Sequence, residues 1–317
     1  MKIVVLEGDS LGKDLDWSVL NRFGEVKVYG KTKQEQVRER IQDADIIVPN
    51  KTLIGKDVLE NSAVQMVCEA ATGFNNVDVE YCGQKGIRVT NVAGYSTDSV
   101  AGHTVAMVLA LYEKLSFYND YVKSGKYSAG GCFSYVENYF HEVAGRTWGI
   151  VGMGAIGKKT AEIATALGAK VVYYSASGNT YDVQYKCVDF QHLLSQSHII
   201  SIHCPLSEKT MGIFNDQAFD QMMPEAVLVN VARGPVVQNL ALANALREGK
   251  IAAAGLDVFE VEPIAADDPL MSIEDSDKLI MTPHIGWGTV EARQRLMKEI
   301  EENIDAFLNG KRRSVII

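Results

Sequence analysis

The run Val-Gly-Met-Gly-Ala-Ile-Gly at 151–157 constrains the fold more than any other part of the chain. An apolar, strand-like segment (147–151) leads into it and good helix formers (155–167) lead out. Gly152 suits a tight strand-to-helix turn, Gly154 lets the backbone approach a bound group closely, and Gly157 lets the new helix lie against the sheet. A second strand rich in Val and Tyr follows at 169–174, completing a βαβ unit. Unpaired N–H groups and partial positive charge at the helix start favour an anion. Residues Gly152, Met153, Gly154, Ala155, Ile156 and Gly157 are therefore expected to hold a dinucleotide diphosphate.

A chain of 317 residues is long for one core, so two domains are expected. Strand-like runs at 2–6, 26–28, 45–49, 65–68 and 87–89 alternate with helical stretches such as 33–42 and 77–85, the pattern of a parallel sheet covered by helices. A mostly apolar helix at 97–115 suits a crossover into the second domain, and a looser aromatic and Gly-rich stretch occupies 118–141. Further strands at 199–203, 226–230, 252–256 and 279–281 give the nucleotide domain about six. The last helix, 289–308, has apolar residues at 290, 296, 300, 304, 307 and 308 and is expected to pack back onto the first domain. The expected fold is α/β, with two Rossmann-like or flavodoxin-like domains built on parallel sheets and the active site in the cleft between them. One domain takes residues 1–96 and 288–317, and the dinucleotide-binding domain takes 97–287.

The formal net charge of −9 argues against a nucleic-acid groove or an anionic membrane surface as partner. No apolar run reaches the roughly 18 residues needed to span a bilayer, and the N-terminus turns acidic too quickly for a signal peptide, so a cytoplasmic protein is expected. Five cysteines, at 68, 82, 132, 187 and 204, lie far apart with no CxxC pair. They read as reduced, mostly packed thiols, and no metal is expected. Cys204 follows His203, but strand neighbours point to opposite faces, so the pair is not a thiolate nucleophile and its base.

Three polar residues each follow a strand of the nucleotide domain, on the edge where open α/β sheets bind ligands. Arg233 comes just after the strand at 226–230, where a guanidinium can grip a carboxylate with two parallel hydrogen bonds. Glu262 lies in a loop beside other acids, and His284 in a stiff Thr-Pro-His-Ile-Gly turn. Taken singly, each has a plain structural reading: a surface arginine, a solvated acid, a packed histidine. Together they supply a set of functions. A carbonyl reduced by hydride develops negative charge that an imidazolium can neutralise by giving up its proton. A carboxylate behind an imidazole strengthens its hold on that proton and fixes the ring. An arginine orients the substrate.

These residues sit in an ordered series of motifs: Gly-Phe-Asn-Asn-Val-Asp at 73–78, the glycine-rich run, His-Cys-Pro-Leu at 203–206, Val-Ala-Arg-Gly at 231–234, Gly-Leu-Asp-Val-Phe-Glu at 255–260 and Thr-Pro-His-Ile-Gly-Trp at 282–287. Over essentially its whole length the chain resembles the D-isomer-specific 2-hydroxyacid dehydrogenase family. The resemblance implies an NAD(P)H-dependent reductase of small 2-oxo acids to D-2-hydroxy acids. Arg233 would anchor the substrate carboxylate, His284 would be the acid/base and Glu262 its partner. Asp257 would orient the nicotinamide carboxamide, and His203, Cys204, Pro205, Thr210, Val231, Ala232 and Gly286 would line the cofactor site. Thr72 and Gly73 would add backbone to the carboxylate site, and the molecule would be a homodimer. Asn50-Lys51, Gly94-Tyr95-Ser96-Thr97 and Trp287 are similar to the glycerate and hydroxypyruvate branch, with Lys51 and Trp287 reading the substrate tail. Two rivals share the motifs: a reductase of bulkier 2-oxo acids, and a corepressor-like protein that senses reduced cofactor.

The chain departs from the pattern at the end of the second nucleotide-domain strand. An acid that would hold the ribose hydroxyls of NAD is expected about 20 residues past the glycine-rich turn. Here stand Ser175, Ala176, Ser177, Gly178 and Asn179. Serines do not repel a 2′-phosphate, so NADP is favoured over NAD, although no arginine or lysine follows to supply charge. Gly102 is a second departure, at a place where the family often carries a longer polar residue.

Overall fold

The computed structural model describes residues 1–179, 181 and 183–317. They divide into two compact units, Met1–Ser96 with Trp287–Ile317, and Thr97–Gly286. The boundary expected after Trp287 falls before it. Its indole packs into the first unit's core and meets the ring of Tyr95 edge-on at 6.5 Å.

In the first unit, five short parallel strands form one sheet: β1 (Lys2–Val5), β2 (Glu25–Val28), β3 (Ile46–Val48), β4 (Met66–Cys68) and β5 (Arg88–Thr90). Their order, β2-β1-β3-β4-β5, is the flavodoxin-like one. β1, β3 and β4 are almost wholly buried, as expected of strands covered on both faces. On one face the Val290–Leu308 helix lays Ala292, Leu296, Ile300 and Ile304 against Ile3, Val5 and Ile46. Its first apolar residue, Val290, is exposed, because the buried stripe begins at Ala292.

The second unit has a seven-stranded parallel sheet. Its strands are β6 (Thr147–Val151), β7 (Lys170–Tyr174), β8 (Lys186–Cys187), β9 (Ile199–Ile202), β10 (Val227–Asn230), β11 (Ala253–Leu256) and β12 (Leu279–Met281). The order β8-β7-β6-β9-β10-β11-β12 is doubly wound and reverses between β6 and β9. The strand beyond the expected six is β8, two exposed residues at the sheet edge, too short to show any alternation. The stretch at 118–141 is more regular than expected. The helix Leu115–Lys123 runs into it and Lys126–Gly130 lies within it, with Phe117, Tyr121 and Tyr135 stacked, the last two at 4.3 Å. Among the described residues, no helix is long and apolar enough to cross a membrane.

Candidate active site

The strand reversal between β6 and β9 puts two loops side by side. Gly152, at the end of β6, has φ +95°, and a Cβ there would lie 2.7 Å from the backbone nitrogen of Cys204, just past β9. A Cβ on Gly157 would come 2.1 Å from the Gly152 carbonyl oxygen, so the helix Ala155–Ala166 lies hard against the turn. Gly154 differs from both. It caps that helix in an extended conformation, and a Cβ on it would meet no atom within 4 Å. The first and third glycines thus build the turn, and the second keeps clear the space that a diphosphate at the helix start needs. The cradle fits a dinucleotide.

The remaining residues expected at this edge differ in what they offer. Met153 is fully buried, Ala155 is exposed, Ile156 is half-buried and Pro205 is exposed. The Thr210 hydroxyl is spent inside its own turn, donating to the Pro205 carbonyl and accepting from the Ser207 N–H. The His203 imidazole meets Ser201 Oγ at 2.9 Å, and the same oxygen accepts the indole N–H of Trp148. Burial pushes the His203 pKa down to about 3, so the ring of this half-buried residue is neutral. Burial likewise pushes the Cys204 thiol up to about 11, the opposite of what a nucleophile requires. Cys68 and Cys82 are buried too, whereas Cys132 and Cys187 are exposed.

After β7, Ser175 Oγ and Ser177 Oγ lie 3.2 Å apart, and the N–H of Asn179 points at Ser177 Oγ. Ala176 is half-buried between the two serines. Lys158, in the first turn of the helix after the glycine-rich loop, sits with Nζ 5.7 Å from the ring centre of Tyr181.

Arg233, Glu262 and His284 follow β10, β11 and β12, three adjacent parallel strands, so their loops leave the same sheet edge. Backbone bonds carry the pairing past the strand ends: the Asp257 N–H to the Asn230 carbonyl, and the Thr282 N–H to the Leu256 carbonyl. Asn230, fully buried, shapes the first loop by accepting from the Ala232 N–H and donating to the Arg233 carbonyl, next to buried Val231. Arg233 itself donates Nη1 to the Ala232 carbonyl at 2.7 Å. Gly234 packs so closely on the next loop that a Cβ would overlap the Phe259 carbonyl oxygen at 1.7 Å. The N–H of that same Phe259 donates to Glu262 Oε1 at 3.0 Å, and Glu262 Oε2 meets His284 Nδ1 at 2.7 Å. The carboxylate is therefore fixed at both oxygens, and the imidazole is oriented by it.

His284 has φ +55°, a left-handed backbone that costs a non-glycine residue on the order of 1–3 kcal/mol unless its surroundings impose it. Asp257 imposes it. Its Oδ1 accepts from Thr282 Oγ1 at 2.6 Å and the Ile285 N–H at 2.8 Å, and its Oδ2 accepts from the Gly286 N–H at 2.8 Å. Burial pushes the Asp257 carboxyl upward in pKa, but these bonds and His103 outweigh it and hold it below the usual carboxylate range. Sequence reading missed this duty, and it missed His103 and Asn230 altogether. The available signal for His103 was its place four positions after Ser99, on the same face of a mostly apolar helix.

The other residues expected to touch substrate lie in the first unit. Three successive N–H groups, of Asn50, Lys51 and Thr52, donate to Glu7 Oε2, each at 2.9 Å, which fixes the backbone under the exposed Lys51 side chain. Thr72 donates its hydroxyl to the Val92 carbonyl, its own carbonyl accepts from Asn91, and Gly73 beside it is half-buried. In the second unit, Gly286 is buried, and a Cβ there would press on Asp257 and His103.

Residues 105–286 match the family model described as D-isomer specific 2-hydroxyacid dehydrogenase, NAD binding domain. The chain is 40% identical to a hydroxypyruvate reductase of Blautia hydrogenotrophica, covering all of this chain and 99% of that one. It is 34% identical to a glycerate dehydrogenase of Methylorubrum extorquens, covering 99% and 98%. Among solved structures, an acyclic imino acid reductase in complex with NADPH and D-Arg superposes with a TM-score of 0.87 at 29% identity, over the full length of both chains.

Proposed function

The chain belongs to the D-isomer-specific 2-hydroxyacid dehydrogenase family, oxidoreductases that work on CH–OH groups with a nicotinamide cofactor, and from that premise we propose that it reduces hydroxypyruvate, and glyoxylate beside it, to D-2-hydroxy acids with NADPH as the preferred cofactor. The observation that carries the reading is the His284–Glu262 pair at 2.7 Å, on the same sheet edge as Arg233.

When bound, a reduced nicotinamide supplies the hydride that reaches the carbonyl carbon. This chain's residues deal with the charge that follows. With Nδ1 engaged by Glu262, His284 delivers its proton from Nε2 to the oxygen as it becomes negative. Glu262, anchored by the Phe259 N–H, keeps the ring in that orientation. Arg233 is steadied by the bond from Nη1 to Ala232, and it grips the substrate carboxylate with its other edge, Nη2 and Nε. Asp257 keeps an acceptor position on Oδ2 for a carboxamide while holding the histidine turn. Lys51, Thr72, Gly73 and Trp287 are assigned to substrate recognition on the family resemblance.

The preference for NADPH rests on three features. No acid stands at Ser175, Ser177 and Asn179 offer hydroxyl and amide donors, and Lys158 brings a cation to Tyr181. A homodimer is part of the proposal. The segment 115–140 exposes Leu115, Val122, Phe133, Val136, Tyr139 and Phe140, a concentration of apolar side chains unusual for a free surface.

Initial rates of NADPH and NADH oxidation with hydroxypyruvate, glyoxylate, pyruvate and bulkier branched or aromatic 2-oxo acids test the proposal. Hydroxypyruvate with NADPH is expected to give the highest kcat/KM. A preference for NADH above about tenfold, about 1.4 kcal/mol, overturns the cofactor assignment, and a bulkier acid at the top overturns the substrate assignment. Cofactor binding without turnover of any acid supports the corepressor-like alternative.

A further inference from the structure

The turn that carries His284 is held by a brace that reaches back to the Thr97–Tyr112 helix at the start of the second unit. Ser99 and His103 lie four residues apart on one face of that helix. Ser99 Oγ donates to the Gly286 carbonyl at 2.5 Å. His103 Nε2 lies 3.0 Å from Thr282 Oγ1 and 3.5 Å from Asp257 Oδ1. The chemistry of the donors fixes the direction of these bonds. A carboxylate can only accept, so the single hydroxyl proton of Thr282 goes to Asp257 at 2.6 Å. Thr282 Oγ1 must then accept from the imidazole, which sets His103 in the tautomer that carries its hydrogen on Nε2. Gly286 is small because a Cβ there would lie 2.9 Å from Asp257 Oδ2 and 3.3 Å from His103 Cδ2. The segment 282–286 is thus gripped on both sides of the one residue with a left-handed backbone, His284.

We propose that His103 is a positioning residue for the acid/base turn: by donating Nε2–H to Thr282 it aims the threonine hydroxyl at Asp257, and through that pair it keeps the His284 ring against Glu262. It touches neither substrate nor cofactor in this role. The inference rests on His284 being the acid/base. Without the imidazole donor, Thr282 can turn its hydroxyl elsewhere and Asp257 loses one of the bonds that hold it ionised in a buried place. The turn then relaxes from its left-handed conformation and the imidazole drifts from its working position. Displacements of about 1 Å in such groups cost up to a hundredfold in rate.

The test compares wild type, His103→Leu, His103→Gln and His284→Ala. Glutamine can place an amide N–H close to where Nε2 lies, whereas leucine cannot. For His103→Leu, kcat with the best 2-oxo acid is expected to fall about tenfold or more while KM stays near the wild-type value. His103→Gln is expected to recover most of that loss. In the cofactor-free protein, the slowly exchanging imidazole N–H resonance of His284 bonded to Glu262 should vanish in His103→Leu and return in His103→Gln. If the leucine variant does not fold, His103→Asn, too short to reach Thr282, takes its place. Wild-type kcat and an intact His284 resonance in the variant lacking the donor overturn the inference, provided His284→Ala is inactive. An active His284→Ala instead overturns the acid/base reading itself.

Discussion

His203 shows how one half-buried side chain can govern stability over a defined pH range. Its pKa falls from the ordinary 6.5 to about 3 because the folded protein buries the ring. The unfolded chain binds that proton below about pH 6.5 and the native state does not until about pH 3. Stability from this group is therefore full above 6.5 and is lost as pH falls through that window. Between pH 7 and 4.5, wild type should lose up to about 3 kcal/mol more than His203→Gln in denaturant melts. Equal losses would contradict the buried, neutral assignment. At the cofactor edge, Lys158→Ala should weaken NADPH binding about tenfold, on the scale of one charged hydrogen bond, and leave NADH nearly untouched. Equal weakening of both, measured by fluorescence titration, would remove Lys158 from the 2′-phosphate site. Of the residues around the proposed chemistry, Arg233 and His284 were legible because each closely follows a strand in a recognisable motif, and Glu262, in a loop among other acids, was legible only through the family resemblance. Lys158 and His103 were not, since the partners they meet, Tyr181 and Thr282, are far away in sequence.

The three loops after β10, β11 and β12 work as a stack whose spacing is set by backbone contact. Gly234 is the tightest point, with the Phe259 carbonyl where a side chain would start. Gly234→Ala must push the Arg233 loop from the Phe259–Glu262 loop, costing about 1–3 kcal/mol of stability. Activity should fall by a larger factor than the melting temperature suggests, because both Arg233 and Glu262, the proposed anchor and the proposed partner of the acid, move. Wild-type kcat/KM in this variant would show that the spacing is immaterial. Most strands could be read from the sequence, since apolar runs of three to five residues bounded by turn formers have few other uses. The helices Leu115–Lys123 and Lys126–Gly130 could not, because the first stacks Phe117 and Tyr121 with Tyr135 and buries no stripe, and the second is only five residues long. The two-residue β8 could not for want of length.

For the whole molecule, the strand order of the seven-stranded sheet accounts for the placement of the chemistry within the second unit: the cofactor cradle lies at the reversal between β6 and β9, and the catalytic candidates lie beyond β10, β11 and β12 of the same sheet. The alternation of strands and helices made both sheets legible. Strand order itself was not, because it depends on which edges pair after the chain has crossed over. The exposed apolar side chains at 115–140 predict a dimer by sedimentation equilibrium, and a Phe133→Ser, Tyr139→Ser double variant should shift it toward monomer; a wild-type monomer would contradict that part of the proposal. The most direct test of the central claim is the steady-state rate of NADPH oxidation with hydroxypyruvate by wild type and by His284→Ala. The account predicts robust turnover by wild type and a loss of at least about a hundredfold in the variant, the scale of a missing general acid. Equal rates in the two proteins would contradict it.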